Sequence, residues 1–241
     1  MKTKLLLIAL VVAACSVGVW LHAQPAADPL IEGYTLTEVS AVADAAEQLY
    51  GQKIYMYHDM RPLFTTKFAG RAVTVMVKKE EHKDGNKGTQ GMLDIIDRSP
   101  AGSVYVVTME DGLDVAAIGG LMSTAMKVRG FVGAVMDGSV RDVPQIKKIQ
   151  FPIYSRGIVP STSVGHYRFV GSNIPIVCAG VKVNPGDIIS ADEDGVVAVP
   201  REKAGEILRK ARELDQIEHQ TLPLIEKLKS ITQAVATFGR I

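Results

Sequence analysis

Hydrophobic positions along the chain fall into short dense runs divided by polar turns, and the spacing within each run predicts its element. Val39, Val42, Ala43, Ala46 and Leu49 recur at helical intervals and stop at Gly51. Ahead of them, Thr35-Leu36-Thr37-Glu38 has the spacing of a capping box, so a helix is predicted there. Four β-branched or aromatic runs, Arg71 to Val77, Ser103 to Met109, Phe131 to Met136 and Phe151 to Tyr154, are bounded by Gly, Pro or charge and predict buried strands. Between the second and third, Leu121 to Val128 has helical spacing and ends at Arg129-Gly130, so strand, helix and strand form a parallel crossover unit. Turn clusters at Asn184-Pro185-Gly186-Asp187 and Asp192-Glu193-Asp194-Gly195 frame Ile188-Ile189 and Val196 to Val199 as antiparallel strands. Pro200 opens a long charged helical pattern, interrupted by Pro223 and continuing to Ala236.

The N-terminus departs from this rhythm. Met1-Lys2-Thr3-Lys4 is a short basic stretch and Leu5 to Ala14 is an unbroken apolar run, which is how a secretory leader reads; the run lacks the ~20 residues of a spanning helix. Two cleavage points compete. Cleavage after Ala23 gives a soluble periplasmic or secreted protein, whereas cleavage before Cys15, at a sequence like a lipoprotein box, gives a lipid-anchored one. Contact with a membrane is expected only by lipidation at Cys15 or through an uncleaved leader. The predicted organisation is a leader over 1–23, a linker over 24–33 rich in Pro, Ala and Asp, a folded domain over 34–200 and a helical extension over 201–241. With 241 residues, the chain has enough length to bury one ordinary core.

Charge removes one class of function. The chain has 27 basic against 26 acidic residues, and loss of Lys2 and Lys4 with the leader leaves 25 against 26, so no cationic surface for nucleic acid is implied. Cleavage after Ala23 also leaves Cys178 as the sole cysteine, which precludes an intramolecular disulfide. Flanked by Ile176, Val177 and Ala179, Cys178 reads as a buried strand residue. Lys78 to Lys87 reads as a solvated loop, and His82 within it lacks the companions of a metal site.

Candidate chemistry lies on either side of the crossover helix. Gly119-Gly120-Leu121-Met122 opens that helix, and two glycines there leave first-turn amides open to an anion that the helix dipole favours. After the next strand comes Asp137-Gly138-Ser139-Val140-Arg141-Asp142. Arg141 offers a permanently charged fork for a carboxylate or a developing enolate, and Asp142 a hard oxygen ligand. Each has a plainer reading: Asp142 as the N-cap of a short helix beginning at Val143-Pro144, the glycine pair as tight helix packing, and Asp137-Gly138 as a turn. Arg156 and His166 are as readily a structural ion pair and a surface histidine as pocket groups.

Asp137-Gly138-Ser139-Val140-Arg141-Asp142 resembles the D-G-x-x-R-D signature of the RraA-like family, which includes 4-hydroxy-4-methyl-2-oxoglutarate and 4-carboxy-4-hydroxy-2-oxoadipate aldolases. Arg61-Pro62-Leu63, Ala69 to Val75, Phe151 to Gly157 and Pro185-Gly186-Asp187 leading to Asp194-Gly195-Val196-Val197 agree in order, so the likeness runs roughly from Val39 to Ala211. It implies an α/β fold, the swivelling β/β/α domain of that family with N- and C-terminal helices, assembled as a trimer or dimer of trimers. It also implies a class II lyase dependent on magnesium or manganese, with Asp142 as metal ligand, Arg141 as the catalytic, substrate-binding arginine, and the amides of Gly119, Gly120, Leu121 and Met122 holding the carboxylate of a small 2-oxo acid. Aldolase or decarboxylase cleavage would then release pyruvate through a metal- and Arg-stabilised enolate.

The family's aldolases carry an acid near the start of that helix, where this chain has Gly120. A base for the distal hydroxyl must then come from Glu110, Asp111 or Asp114, or from a neighbouring subunit, whereas decarboxylation of an oxaloacetate-like acid needs none. Two other functions fit the same sequence: a non-catalytic binding protein, as in the family's namesake regulator of ribonuclease E, and a lyase or isomerase acting on a sugar-derived acid. A methyltransferase does not fit, since the chain has no Gly-rich nucleotide loop.

Overall fold

The computed structural model describes residues 28–239, so the leader over 1–23 and both candidate cleavage points lie outside it. In chain order the elements are α1 (Pro29–Leu36), α2 (Val39–Tyr50), β1 (Arg61–Pro62), β2 (Phe68–Lys79), α3 (Gln90–Arg98), β3 (Ser103–Met109), β4 (Ala116–Ile118), α4 (Gly120–Val128), β5 (Gly133–Val140), α5 (Val143–Lys148), β6 (Ile153–Ile158), β7 (Tyr167–Ser172), β8 (Ile176–Cys178), β9 (Val181–Val183), β10 (Ile188–Asp192), β11 (Gly195–Val199), α6 (Ala204–Leu228) and α7 (Ile231–Phe238).

One nine-stranded sheet runs β1-β6-β5-β3-β2-β10-β11, with β4 beside β5 and β7 beside β2, while β8 and β9 form a separate hairpin. Its centre, β2, β3, β5 and β6, is parallel. Parallel strands need crossovers, and their helices cover one face. In β3 the side chains alternate accordingly: Tyr105 and Val107 pack with Met92, Ile96 and Met126 of α3 and α4, while Val104 and Val106 pack with Cys178, Val183, Ile189 and Val196 on the other side. A third cluster lies beyond β10 and β11, where Ile188, Val197 and Val199 meet Val42 and Ala46 of α2 and Ile207, Leu208 and Ala211 of α6. The layering is therefore the expected α/β, β/β/α arrangement, and the first turns of the C-terminal extension close this third cluster.

The crossover unit and the Ile188–Val199 hairpin form as expected. Three expectations change. Asp28 to Gly33 is not linker: Asp28 accepts the Leu30 N–H (3.0 Å), Pro29 supplies the first helical φ, and α1 is held by the buried Tyr34, whose hydroxyl donates to the Ala204 carbonyl (2.7 Å). Thr35-Leu36-Thr37-Glu38 is not a capping box either, because Thr35 and Leu36 finish α1. The first amide of α2, the buried Val39 N–H, donates instead to Asp192 Oδ2 (3.0 Å), reached across the fold from β10. Pro223 does not interrupt α6. Its missing N–H falls where His219 is exposed and water can meet the orphaned carbonyl, and the helix ends only at Lys229, in the left-handed region at φ 51°.

Asp192 bears more than one load. Its other oxygen, Oδ1, accepts Asp194 N–H (3.0 Å), and burial raises its pKa above the ordinary carboxylate value. Asp192→Asn replaces one acceptor by a donor, so about 1–3 kcal/mol of stability is expected to be lost in urea unfolding. Because the folded pKa is raised, wild type loses stability as pH climbs from the unfolded through the folded value. The gap between the two proteins should therefore narrow over that interval; a gap that widens would contradict the burial of this carboxylate.

Candidate functional site

Two chain exits lie side by side at one end of the parallel sheet. β4 pairs in parallel with the end of β5, and Arg141 N–H donates to the Ile118 carbonyl (3.1 Å), which pins the segment after β5 against the start of α4. Carboxyl ends of neighbouring parallel strands are the usual place for a ligand crevice. Here the crevice is a cavity of about 430 Å³ lined by Gly119, Leu121, Met122, Arg141 and Asp142 together with Asn86, Thr89 and Thr162.

Asp142 has φ 58°, a left-handed conformation that aspartate tolerates. It stands at the N-cap position of α5, yet its carboxylate makes no cap there. Oδ2 instead accepts the Gly120 N–H (2.9 Å) at the start of α4, 3.8 Å from Arg141 Nε. Oδ1 has no protein partner among the described residues. The expected cap of α5 is thus not made: the charge is directed to the amide end of α4, where a negative group is favoured. Arg141 is tied by Nη1 to the Ser161 carbonyl (3.3 Å) and keeps 41% of its side chain exposed.

The glycine pair makes this approach sterically feasible. A Cβ on Gly119 would stand 2.7 Å from Asp142 Oδ2 and 3.2 Å from Arg141 Cγ, and one on Gly120 would stand 3.0 Å from Gln145 Cγ. Tight packing and an open amide end are here one feature. Gly120 itself is buried and its N–H is taken by Asp142, so it does not face the cavity as expected. The Leu121 and Met122 amides precede Ser123, the first residue to donate back into the helix, and they are the ones left for a ligand.

Other candidates fall elsewhere. Asp137, the first residue of the signature, splits its carboxylate between Arg156 Nη1 (3.0 Å) and Ala179 N–H (2.7 Å), joining β5 to β6 and to the turn after β8. Arg156 also holds Asp59 Oδ2 through Nε and Nη2 (2.9 Å each), so it is a structural cation; this pairing draws the Asp59 carboxyl below its ordinary range. Burial pushes the Cys178 thiol up, as its flanking sequence implied. His82 is likewise structural, its ring nitrogens meeting Tyr167 O (3.0 Å) and Asp84 N (3.2 Å), and His166 pairs with Glu81 at the surface. Glu110, Asp111 and Asp114 do not line the cavity, but Asp97 of α3 does. Its spacing of four from Leu93 was the available signal, since residues three and four apart are neighbours on a helix face.

The family model described as RraA-like, Aldolase/RraA, matches residues 39–198. A putative 4-hydroxy-4-methyl-2-oxoglutarate aldolase of Halalkalibacterium halodurans is 36% identical over 114 residues, 46% of this chain and 52% of that protein. The chain spans between about a quarter and about half the length of the first curated relatives it matches. Among solved structures, an uncharacterized protein from Pseudomonas syringae pv. tomato superposes with a TM-score of 0.79 at 25% identity, covering 92% of this chain and 100% of that one. Streptomyces coelicolor RraAS2, described as an unusual member of the RNase ES inhibitor RraA protein family, gives a TM-score of 0.72 at 24% identity over 81% of this chain and 96% of that one, a likeness of fold.

The Arg156 cluster yields a stability prediction separate from the cavity. Arg156→Met leaves Asp59 and Asp137 without their cation, and about 1–3 kcal/mol should be lost at neutral pH. Asp59's lowered pKa means that its contribution exists above the unfolded value and fades as pH falls through the folded one. Thermal melts of the two proteins should therefore converge in acid; a constant difference across pH would count against the ion pairs.

Proposed function

The chain belongs to the RraA-like, Aldolase/RraA family, and from that membership we propose that it is a carbon–carbon lyase that cleaves a small 2-oxo acid and releases pyruvate. The observation that carries this reading is the meeting of Arg141, Asp142 and the amide end of α4 on one cavity. Arg141 binds the carboxylate and stabilises negative charge on the enolate as the bond breaks, and the Leu121 and Met122 amides orient the acid. Asp142 is the residue suited to hold magnesium or manganese. It is half-exposed and Oδ1 is open, and no group of three His, Cys, Asp or Glu side chains placed to hold a metal ion exists among the described residues, so Asp142 would hold the ion as one carboxylate, as at magnesium sites that keep their waters. Such a cation, when bound, polarises the 2-oxo group.

Gly120 offers no base for a distal hydroxyl. Decarboxylation of an oxaloacetate-like acid asks only for enolate stabilisation, so it is the activity that this set of side chains serves most directly. Export through the N-terminal leader and assembly as a trimer belong to the same proposal; N-terminal sequencing of the mature protein and a solution mass measurement test them.

Purified protein with magnesium should release pyruvate from oxaloacetate or 4-hydroxy-4-methyl-2-oxoglutarate, and Arg141→Ala or Asp142→Asn should abolish it. No release from either acid by a folded protein that still binds them would move the function to binding. Gly119→Ala, whose methyl would meet the Asp142 carboxylate, should fold yet lose on the order of 100-fold in kcat/KM, because displacement by an ångström is enough; unchanged turnover would mean that the approach of α4 to Asp142 is dispensable.

A further inference from the structure

Arg141 is the one basic side chain on the cavity lining, and an arginine that swings freely loses rotamer freedom when a ligand fixes it. Its stem is half-exposed, so packing alone does not hold it. The fork rests instead on the Ser161 carbonyl, reached by Nη1 at 3.3 Å, with Asp142 Oδ2 3.8 Å from Nε. That carbonyl can aim the fork only if its own peptide is fixed.

After β6 the chain runs through 159–163, a stretch that main-chain bonds hold at its two ends. Val159 N–H donates to the Val140 carbonyl (3.0 Å) and Ser163 N–H to the Ala116 carbonyl (3.1 Å). Pro160 has no N–H, and among the described residues no backbone–backbone bond involves 160–162. The Ser161 side chain supplies the missing tie. Its hydroxyl donates to the Asp114 carbonyl (2.9 Å) and accepts the Ala116 N–H (3.3 Å), so both roles of one hydroxyl are spent where the chain enters β4. β4 pairs with the end of β5, and its last residue, Ile118, accepts the Arg141 N–H. Arg141 is thus referred to β4 twice, by its main chain at one end of the strand and through Ser161 at the other. Ser161 itself is not on the cavity lining. Resting on the lyase reading, we propose that Ser161 is a positioning residue, which orders the Arg141 guanidinium in advance for the carboxylate and the enolate while touching neither.

Ser161→Ala removes both hydroxyl bonds and keeps the carbonyl. With magnesium and oxaloacetate its kcat/KM should fall about tenfold, while Ser161→Thr, which keeps the hydroxyl, should stay within about twofold of wild type. A merely loosened fold would do its harm without reference to Arg141. The decisive measurement is therefore a double-mutant cycle on the binding of oxalate, an uncleavable mimic of the pyruvate enolate, by calorimetric titration with magnesium. Ser161→Ala should weaken oxalate about tenfold in the wild-type background and leave the affinity of Arg141→Ala unchanged. Equal weakening in both backgrounds, no weakening in either, or failure of threonine to rescue would overturn the assignment. A wild type that neither cleaves oxaloacetate nor binds oxalate defeats the lyase reading. In that case, or if Arg141→Ala binds too weakly to titrate, 15N relaxation of the Arg141 Nε–H decides the positioning alone. Its order parameter should drop in Ser161→Ala and return in Ser161→Thr; an unchanged value refutes the role.

Discussion

Parallel pairing of β3 with β5 is the constraint from which the cavity follows. Two parallel neighbours cannot be joined by a tight turn, so the chain between them must travel back along the sheet, and α4 is that return. A return helix begins where a strand has just ended, which sets its positive, amide-bearing end beside the carboxyl ends of β4 and β5. The same pairing puts Arg141 and Asp142, which leave β5, next to that helix end. Hydrophobic burial on both faces holds the sheet, and the polar groups gather at the one edge where strands stop and backbone groups are still unspent.

Polar residues beyond that edge do a different kind of work. Arg156 with Asp59 and Asp137, and Asp192 with the amides of Val39 and Asp194, tie together segments far apart in sequence. Their cations and amides are taken up by one another, with Asp59 Oδ1 the one buried side-chain oxygen left without a partner among the described residues, and this separates them from Arg141 and Asp142, which keep exposed capacity to spare. An arginine already shared by two carboxylates is a brace; one held by a single carbonyl and open to a cavity is available to a ligand.

Much of this was legible in the chain. Ser103–Met109 is both the sequence run and β3, because a dense β-branched segment bounded by turn residues leaves few alternatives. Gly119-Gly120 and Arg141-Asp142 stood out as candidates by residue type and by flanking a predicted crossover, and it was the resemblance to the family signature that favoured them over a turn and a cap. What stayed hidden was long-range. Asp192 caps α2 from 153 residues away, so no local spacing announces it, and Asp137 belongs to a motif whose last two residues face the cavity while its own carboxylate joins a brace. Asp97 shares a face of α3 with Leu93, yet only the fold shows that this face lines the cavity. α1 was masked by a Pro-rich composition that resembles linker, although Asp28-Pro29 is a good helix start.

The left-handed backbone of Asp142 narrows what evolution can try at that position. A β-branched or bulky side chain there would cost about 1–2 kcal/mol of strain before any chemistry is considered, leaving aspartate, asparagine and glycine as the inexpensive choices. Of these only aspartate carries charge. On the proposed lyase reading, a lineage that drifted to asparagine would keep its fold and its cavity while shedding the anionic ligand, so an active protein and a silent binder of the same shape would lie a single conservative replacement apart.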